Sequence, residues 1–186
     1  YGVGFKDVLE RSFRGEVVAS EAFERGTTDL RSQLTKIKQA KPNAIFIISN
    51  SPDSSVAALK QIKELRIFGV TIYGSEGLKG PEVAETIQAE GLIVTSVTSG
   101  TLEFNLKYDE KYEEEPGPFA AQGYDAMSAL ARTLKKGAKT GTDIKNDLYS
   151  TTFDGASGRI SFDLNGDVSG NYEVYQLKKK EWIRLQ

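Results

Sequence analysis

The stretch Asn43-Ala44-Ile45-Phe46-Ile47-Ile48-Ser49-Asn50-Ser51-Pro52 decides the fold class. Ala44 to Ile48 form an unbroken apolar run, mostly β-favouring, with no polar alternation. Such a run reads as a strand covered on both faces. In α/β proteins that is a central parallel strand with helices on each side. The run stops at Ser49-Asn50-Ser51-Pro52-Asp53. Polar side chains therefore gather at the strand's carboxyl end, where open α/β sheets place their ligands. The same residues also suit a loop and a helix N-cap, and the stretch alone leaves both readings open.

Working outward, helical and strand patterns alternate. Val3, Phe5, Val8, Leu9 and Phe13 have helical spacing, with Gly15 as a stop. Residues 16–23 read as a strand. Thr28-Asp29 can cap a helix whose apolar stripe is Leu30, Leu34 and Ile37. After Pro52, the residues Val56, Leu59, Ile62 and Leu65 carry another helix, broken by Gly69. A short strand at 70–73 ends in the turn Gly74-Ser75-Glu76-Gly77. Pro81 stands where a first helical turn tolerates proline, and 91–97 is a strand again. This order predicts a parallel sheet with right-handed crossovers. Because it begins with a helix, a strand is expected to precede Tyr1.

The second half reads differently. A helix over 101–115 ends in three glutamates, and Pro116-Gly117-Pro118 is the strongest breaker in the chain. A helix over 119–136, opened by Phe119 and closed by Lys136, puts Tyr124, Met127, Leu130, Ala131 and Leu134 on one face. A short helix over 142–149 has Thr142 or Asp143 as its cap. Strands follow at 157–162, 171–177 and 181–185, and Lys178-Lys179-Lys180 is the tip of a late hairpin.

Composition excludes more chemistry than it suggests. The 186 residues are 39% hydrophobic and 27% charged, enough for a sizeable core. A net charge of −2 gives no bulk attraction to nucleic acid, and no apolar run reaches the length of a membrane span. With neither Cys nor His, disulfides, thiol nucleophiles, Cys/His metal sites and imidazole acid–base chemistry are all ruled out. Gly2-x-Gly4 is too short for a dinucleotide fingerprint, there is no P-loop, and no cofactor is implied. Asp163-Leu164-Asn165-Gly166-Asp167 opens like a calcium loop. Val168 and Val174 then stand where such a loop needs Gly and Glu, so Asn165-Gly166 reads as a tight turn. Catalysis has no positive support. What remains is a binding site at strand ends. Ser49, Asn50 and Ser51 offer hydroxyl and amide groups, and Glu76 offers a carboxylate on a glycine-flanked turn, which suits an ammonium group.

Several segments together resemble the type I periplasmic solute-binding proteins of the branched-chain amino-acid (Leu/Ile/Val-binding) ABC-transporter family. Tyr1-Gly2 is similar to its Y-G segment. Thr28-Asp29-Leu30 with Gln33-Leu34-Thr35-Lys36-Ile37-Lys38 is similar to its D-F-x-x-Q-L-x-x-I-K helix. Pro42-Asn43-Ala44-Ile45 resembles P-D-A-V, and Tyr73-Gly74-Ser75-Glu76-Gly77 its G-x-E/D-G turn. Tyr124-Asp125-Ala126 matches Y-D-A. Phe153-x-Gly155, Gly158-x-Ile160-x-Phe162-Asp163 and Gly166-Asp167 match the late F-x-G-x-x-G-x-I-x-F-D-x-x-G-D segment.

The resemblance implies a Rossmann-like parallel α/β sheet flanked by helices, the second lobe of a two-lobed protein, with a late β-hairpin. It implies a non-enzymatic function: capture of an amino acid or similar small solute in an interlobe cleft, for delivery to a membrane ABC permease. The place would be periplasmic or extracellular, with a lipid anchor in some bacteria. A ligand-sensing domain of a receptor or regulator is the alternative, because the same fold serves both. Tyr1 would contact ligand, Glu76 would hold its α-ammonium, and Ser49, Asn50 and Ser51 would line the pocket. Ala121 falls where some members carry a closing aromatic. The lack of bulk at 49–51 and at Ala121 points to a ligand larger or more polar than leucine. Residues 1–115 and 156–186 would belong to the second lobe, and the helical segment 116–155 to the first. The first lobe's sheet is absent, so the chain resembles a C-terminal fragment. The apolar stripe of the helix over 119–136 is then expected to pack elsewhere or to mediate dimerisation.

Overall fold

The computed structural model describes residues 1–170 and 172–185. The chain forms two compact units, Tyr1–Ser96 with Glu173–Gln186, and Val97–Tyr172.

The first unit carries α1 (Gly2–Ser12), α2 (Arg31–Gln39), β1 (Ala44–Ile47), α3 (Pro52–Glu64), β2 (Thr71–Gly74), α4 (Pro81–Ala84) and most of β3 (Ile93–Val97). The chain returns to it along β6 (Tyr172–Lys178) and β7 (Glu181–Arg184). The sheet order is β1-β2-β3-β6-β7, parallel from β1 to β3 and antiparallel between β6 and β7. Leu59 and Ile62 of α3 are fully buried in one cluster with Ile45, Ile47, Val94 and Leu177. Burying each large aliphatic side chain contributes roughly 1.5–3 kcal/mol. Gln61 lies in the same helix, and its side chain ties α3 to the segment before α2. Its carbonyl accepts from Leu30 N and its amide donates to Thr28 O, both at 2.7 Å.

In parallel register Ile47 stands opposite Gly74, which brings the carboxyl ends of β1 and β2 to one edge. Ser75 N donates to Ile47 O at 3.0 Å, so the two following loops meet there.

The second unit holds α5 (Leu102–Tyr112), α6 (Ala120–Lys135), α7 (Gly141–Ser150) and the hairpin of β4 (Phe153–Gly155) with β5 (Gly158–Ile160). Ala129, Phe153 and Ile160 form its small core, with Leu148 and Phe162 packed against it. Buried Asp125 accepts from Ala156 N at 2.6 Å, Ser157 N at 2.7 Å and Ser157 Oγ at 2.6 Å. A Cβ on Gly155 would strike that carboxylate, so the hairpin turn is seated directly on α6.

The α/β sheet with its late hairpin is the fold expected from sequence, and several details differ. Residues 16–23 form no strand. A strand needs a pairing partner, and the sheet ends at β1. For the same reason β1 is an edge strand rather than a central one: Ile45 and Ile47 are buried, Ala44 is exposed, and Phe46 is partly covered by the Phe5 ring 5.6 Å away. Val3 and Val8 of α1 are exposed, as is Phe13 just after it. The cap of α7 is Thr140, whose hydroxyl accepts from Asp143 N while its own N–H donates to the Asp143 carboxylate. The strand expected over 157–162 is the shorter β5, and it pairs antiparallel with β4, for which no strand is expected from sequence. Asn171, expected to open the next strand, lies outside the described residues. The compact units part at 96/97 and 172/173, whereas the resemblance implies lobe boundaries at 115/116 and 155/156. Backbone and ring contacts account for the difference: Thr101 N donates to Ala156 O at 2.7 Å, and Phe104 of α5 lies 5.6 Å from the Tyr124 ring of α6.

Candidate ligand-binding site

The site grows from the short loop after β2. Glu76–Leu78 is a single 3₁₀ turn directly after the strand. Leu78 is fully buried and anchors the turn, while Glu76 is left partly exposed at the edge. Gly77 makes this packing possible, because a Cβ there would lie 2.1 Å from Ser49 O. Only glycine lets the turn touch the β1 loop this closely.

Tyr1 precedes α1, and its hydroxyl donates to Glu76 Oε1 at 2.8 Å. Partial burial pushes the Tyr1 phenol above its ordinary value. A hydrogen bond with Ser75 opposes that rise, and Glu76 adds to it. A carboxylate has about four acceptor positions, and Tyr1 uses one. The pair is an acceptor-rich spot beside an aromatic hydroxyl, suited to an ammonium or another multiple donor. A ring series, Tyr1 to Phe5 at 6.2 Å and Phe5 to Phe46 at 5.6 Å, joins it to β1.

The serines behave otherwise. Ser49 is 4% exposed and Ser51 8% exposed, and both use their polar groups inside the loop. Ser51 N donates to Ser49 Oγ at 3.2 Å. Ser49 N donates to Ser75 Oγ, and that hydroxyl donates to Ser49 O, both at 3.3 Å. The Ser75 hydroxyl thus clasps the β2 loop to the Ser49 backbone of the β1 loop, and Asn50 is the one of residues 49–51 left exposed. Of the six residues singled out from sequence, the structure joins Tyr1 with Glu76 directly and sets Ser49, Asn50 and Ser51 on the adjoining loop. Ala121 is buried in the second unit, against Gly100.

Sequence reasoning passed over Ser75, the link between the loops. It stands in the turn Gly74-Ser75-Glu76-Gly77, and its burial shows only in the structure. Among the described residues no group of three or more Asp, Glu, His or Cys could hold a metal. In the loop considered for calcium, Asp163 Oδ1 instead accepts from Asn165 N at 2.8 Å and Asp167 N at 2.9 Å, the geometry of a tight turn. Among the described residues no helix is long and apolar enough to cross a membrane.

Comparison with known proteins agrees with this architecture. A leucine-binding protein from Thermotoga maritima is 27% identical with a TM-score of 0.85, over 100% of this chain and 56% of that one. The branched-chain amino acid transporter substrate-binding protein of Streptococcus pneumoniae, solved with isoleucine, is 28% identical with a TM-score of 0.74, over 99% of this chain and 57% of that one. An extracellular ligand-binding receptor from Desulfohalobium retbaense is 26% identical with a TM-score of 0.81, over 100% of this chain and 34% of that one. The chain thus spans just over half, or less, of these relatives. No curated protein matches it by sequence. The family model described as periplasmic binding protein matches residues 1–181, and the chain belongs to the periplasmic binding protein family.

Proposed function

We propose that this chain is the ligand-holding part of an extracytoplasmic solute-binding protein that takes an amino acid, or a similar small solute with an ammonium group, and serves an ABC permease. The observation that carries the reading is the Tyr1–Glu76 pair, 2.8 Å apart at the carboxyl edge of a parallel sheet. The names of the relatives, leucine-binding and branched-chain amino acid transporter proteins, support the ligand class and the partner. On this reading residues 1–115 and 156–186 belong to one lobe, and 116–155 to the other. Asn50 is a second wall residue, and Ser49 and Ser51 shape the wall without touching ligand. The exposed stripe of α6 pairs with a second copy of the chain, because Tyr124, Met127 and Leu134 each keep more than half of their surface exposed.

Glu76→Gln tests the ammonium role. A hydrogen bond to a charged group contributes about 1.5–3 kcal/mol. The substitution is expected to weaken L-isoleucine roughly 10- to 150-fold in an NMR titration, and to leave binding of isovalerate, which lacks the ammonium, unchanged. Equal loss for both ligands would overturn the reading.

A further inference from the structure

The Glu76 turn is held at its far end as well. Lys79 follows it, and its N–H donates to Glu76 O at 2.9 Å. The Lys79 side chain then lies over the Tyr175 ring of β6, with Nζ 3.5 Å from the ring centroid. The Tyr175 hydroxyl donates to buried Glu173. The other Glu173 oxygen stands 2.8 Å from a terminal guanidinium nitrogen of Arg184 on β7. All four side chains belong to the unit that carries Glu76. Burial pushes the Lys79 ammonium below its ordinary value, and the charge of Glu173 opposes that shift. An ammonium that has given up part of its water gains from an aromatic face, because the ring quadrupole is negative there.

We propose that Lys79 is a positioning residue for Glu76: its ammonium, seated on the Tyr175 ring near Glu173, pins the 76–79 turn so that the Glu76 carboxylate meets the Tyr1 hydroxyl. Leu78 fixes the turn's depth by burial, and Lys79 fixes its rotation. Glu173 opens the chain's return to this unit, so the pin also ties the candidate ligand carboxylate to that connection. The consequence for ligand affinity rests on the function proposed for Glu76; the positioning itself does not.

The test reads the Tyr1 phenol directly, by carbon-13 NMR of tyrosine-labelled chain titrated with base, the Tyr1 signal being assigned with Tyr1→Phe. The signs separate a pin from a bare charge. Removing a nearby cation raises a phenol's pKa, whereas withdrawing the Glu76 carboxylate lowers it. Lys79→Met is expected to shift the Tyr1 titration downward, Lys79→Arg to restore it, and L-isoleucine affinity to fall about 3- to 30-fold in Lys79→Met. An unchanged or raised Tyr1 titration in folded Lys79→Met would overturn the proposal. Should Lys79→Met fail to fold, Tyr175→Phe and Tyr175→Leu decide. Phe keeps the ring and is expected to leave Tyr1 unmoved, while Leu shifts it downward; identical behaviour of the two overturns the pin. If Tyr1 responds as expected while L-isoleucine binds no variant, the pin stands and the ligand reading of Glu76 falls.

Discussion

At the scale of single residues, the candidate site depends on close approach more than on reactive groups. Gly77 allows a backbone turn to rest on the Ser49 carbonyl, and the Ser49–Ser75 bonds lock the two loops at that distance. Gly77→Ala forces the loops apart, since the atom it meets is backbone and cannot swing aside. Overpacking of this kind costs about 1–3 kcal/mol, and urea unfolding is expected to show a free energy of unfolding smaller by that amount, with a lower midpoint. Gly80→Ala is the control. Its Cβ would meet only the flexible end of Glu82 at 3.2 Å, so a comparable loss there would contradict the explanation. Asp125 makes the same point in the second unit. The Y-D-A motif marks it in sequence, and its three acceptor bonds under the hairpin turn give its physical role.

At the scale of elements, α6 is the informative case. Its helical spacing is plain in sequence, and two of its faces do different things. Ala121, Asp125, Ala129 and Thr133 are buried, whereas Tyr124, Met127 and Leu134 are 60%, 66% and 55% exposed. Leu102 and Leu106 of α5 are exposed as well. Large apolar side chains in water are favourable docking material, at roughly 1.5–3 kcal/mol for each one buried. Sedimentation of the chain at tens of micromolar is expected to give a dimer, and Met127→Glu a monomer. A compact monomer for the unaltered chain would sink the idea.

At the scale of the whole molecule, the number of contacts available to a ligand limits affinity. The candidate site offers Tyr1, Glu76 and the adjoining loop from one sheet edge, and the chain spans 56% and 57% of two relatives named for amino-acid binding. A cleft that closes by hinge motion gains contacts from both walls and excludes water. Calorimetry of this chain with L-isoleucine is therefore expected to show binding weaker than micromolar. Micromolar affinity would mean that one wall suffices.

The sequence by itself determined the alternation of strands and helices, the late hairpin, the turn that carries Glu76 and the helical faces of the second half. These are written in local periodicity and turn chemistry, which a short window contains. Only the tertiary structure decided that β1 is an edge, that 16–23 stays unpaired, that Ser49 and Ser51 turn inward, and that Lys79 reaches Tyr175. Each of these depends on where a strand's neighbour or a polar group's partner lies, often far along the chain. The run at 44–48 shows the division well. Its apolar character announces burial, and the same five residues would read identically whether one neighbour or two were hydrogen-bonded beside them.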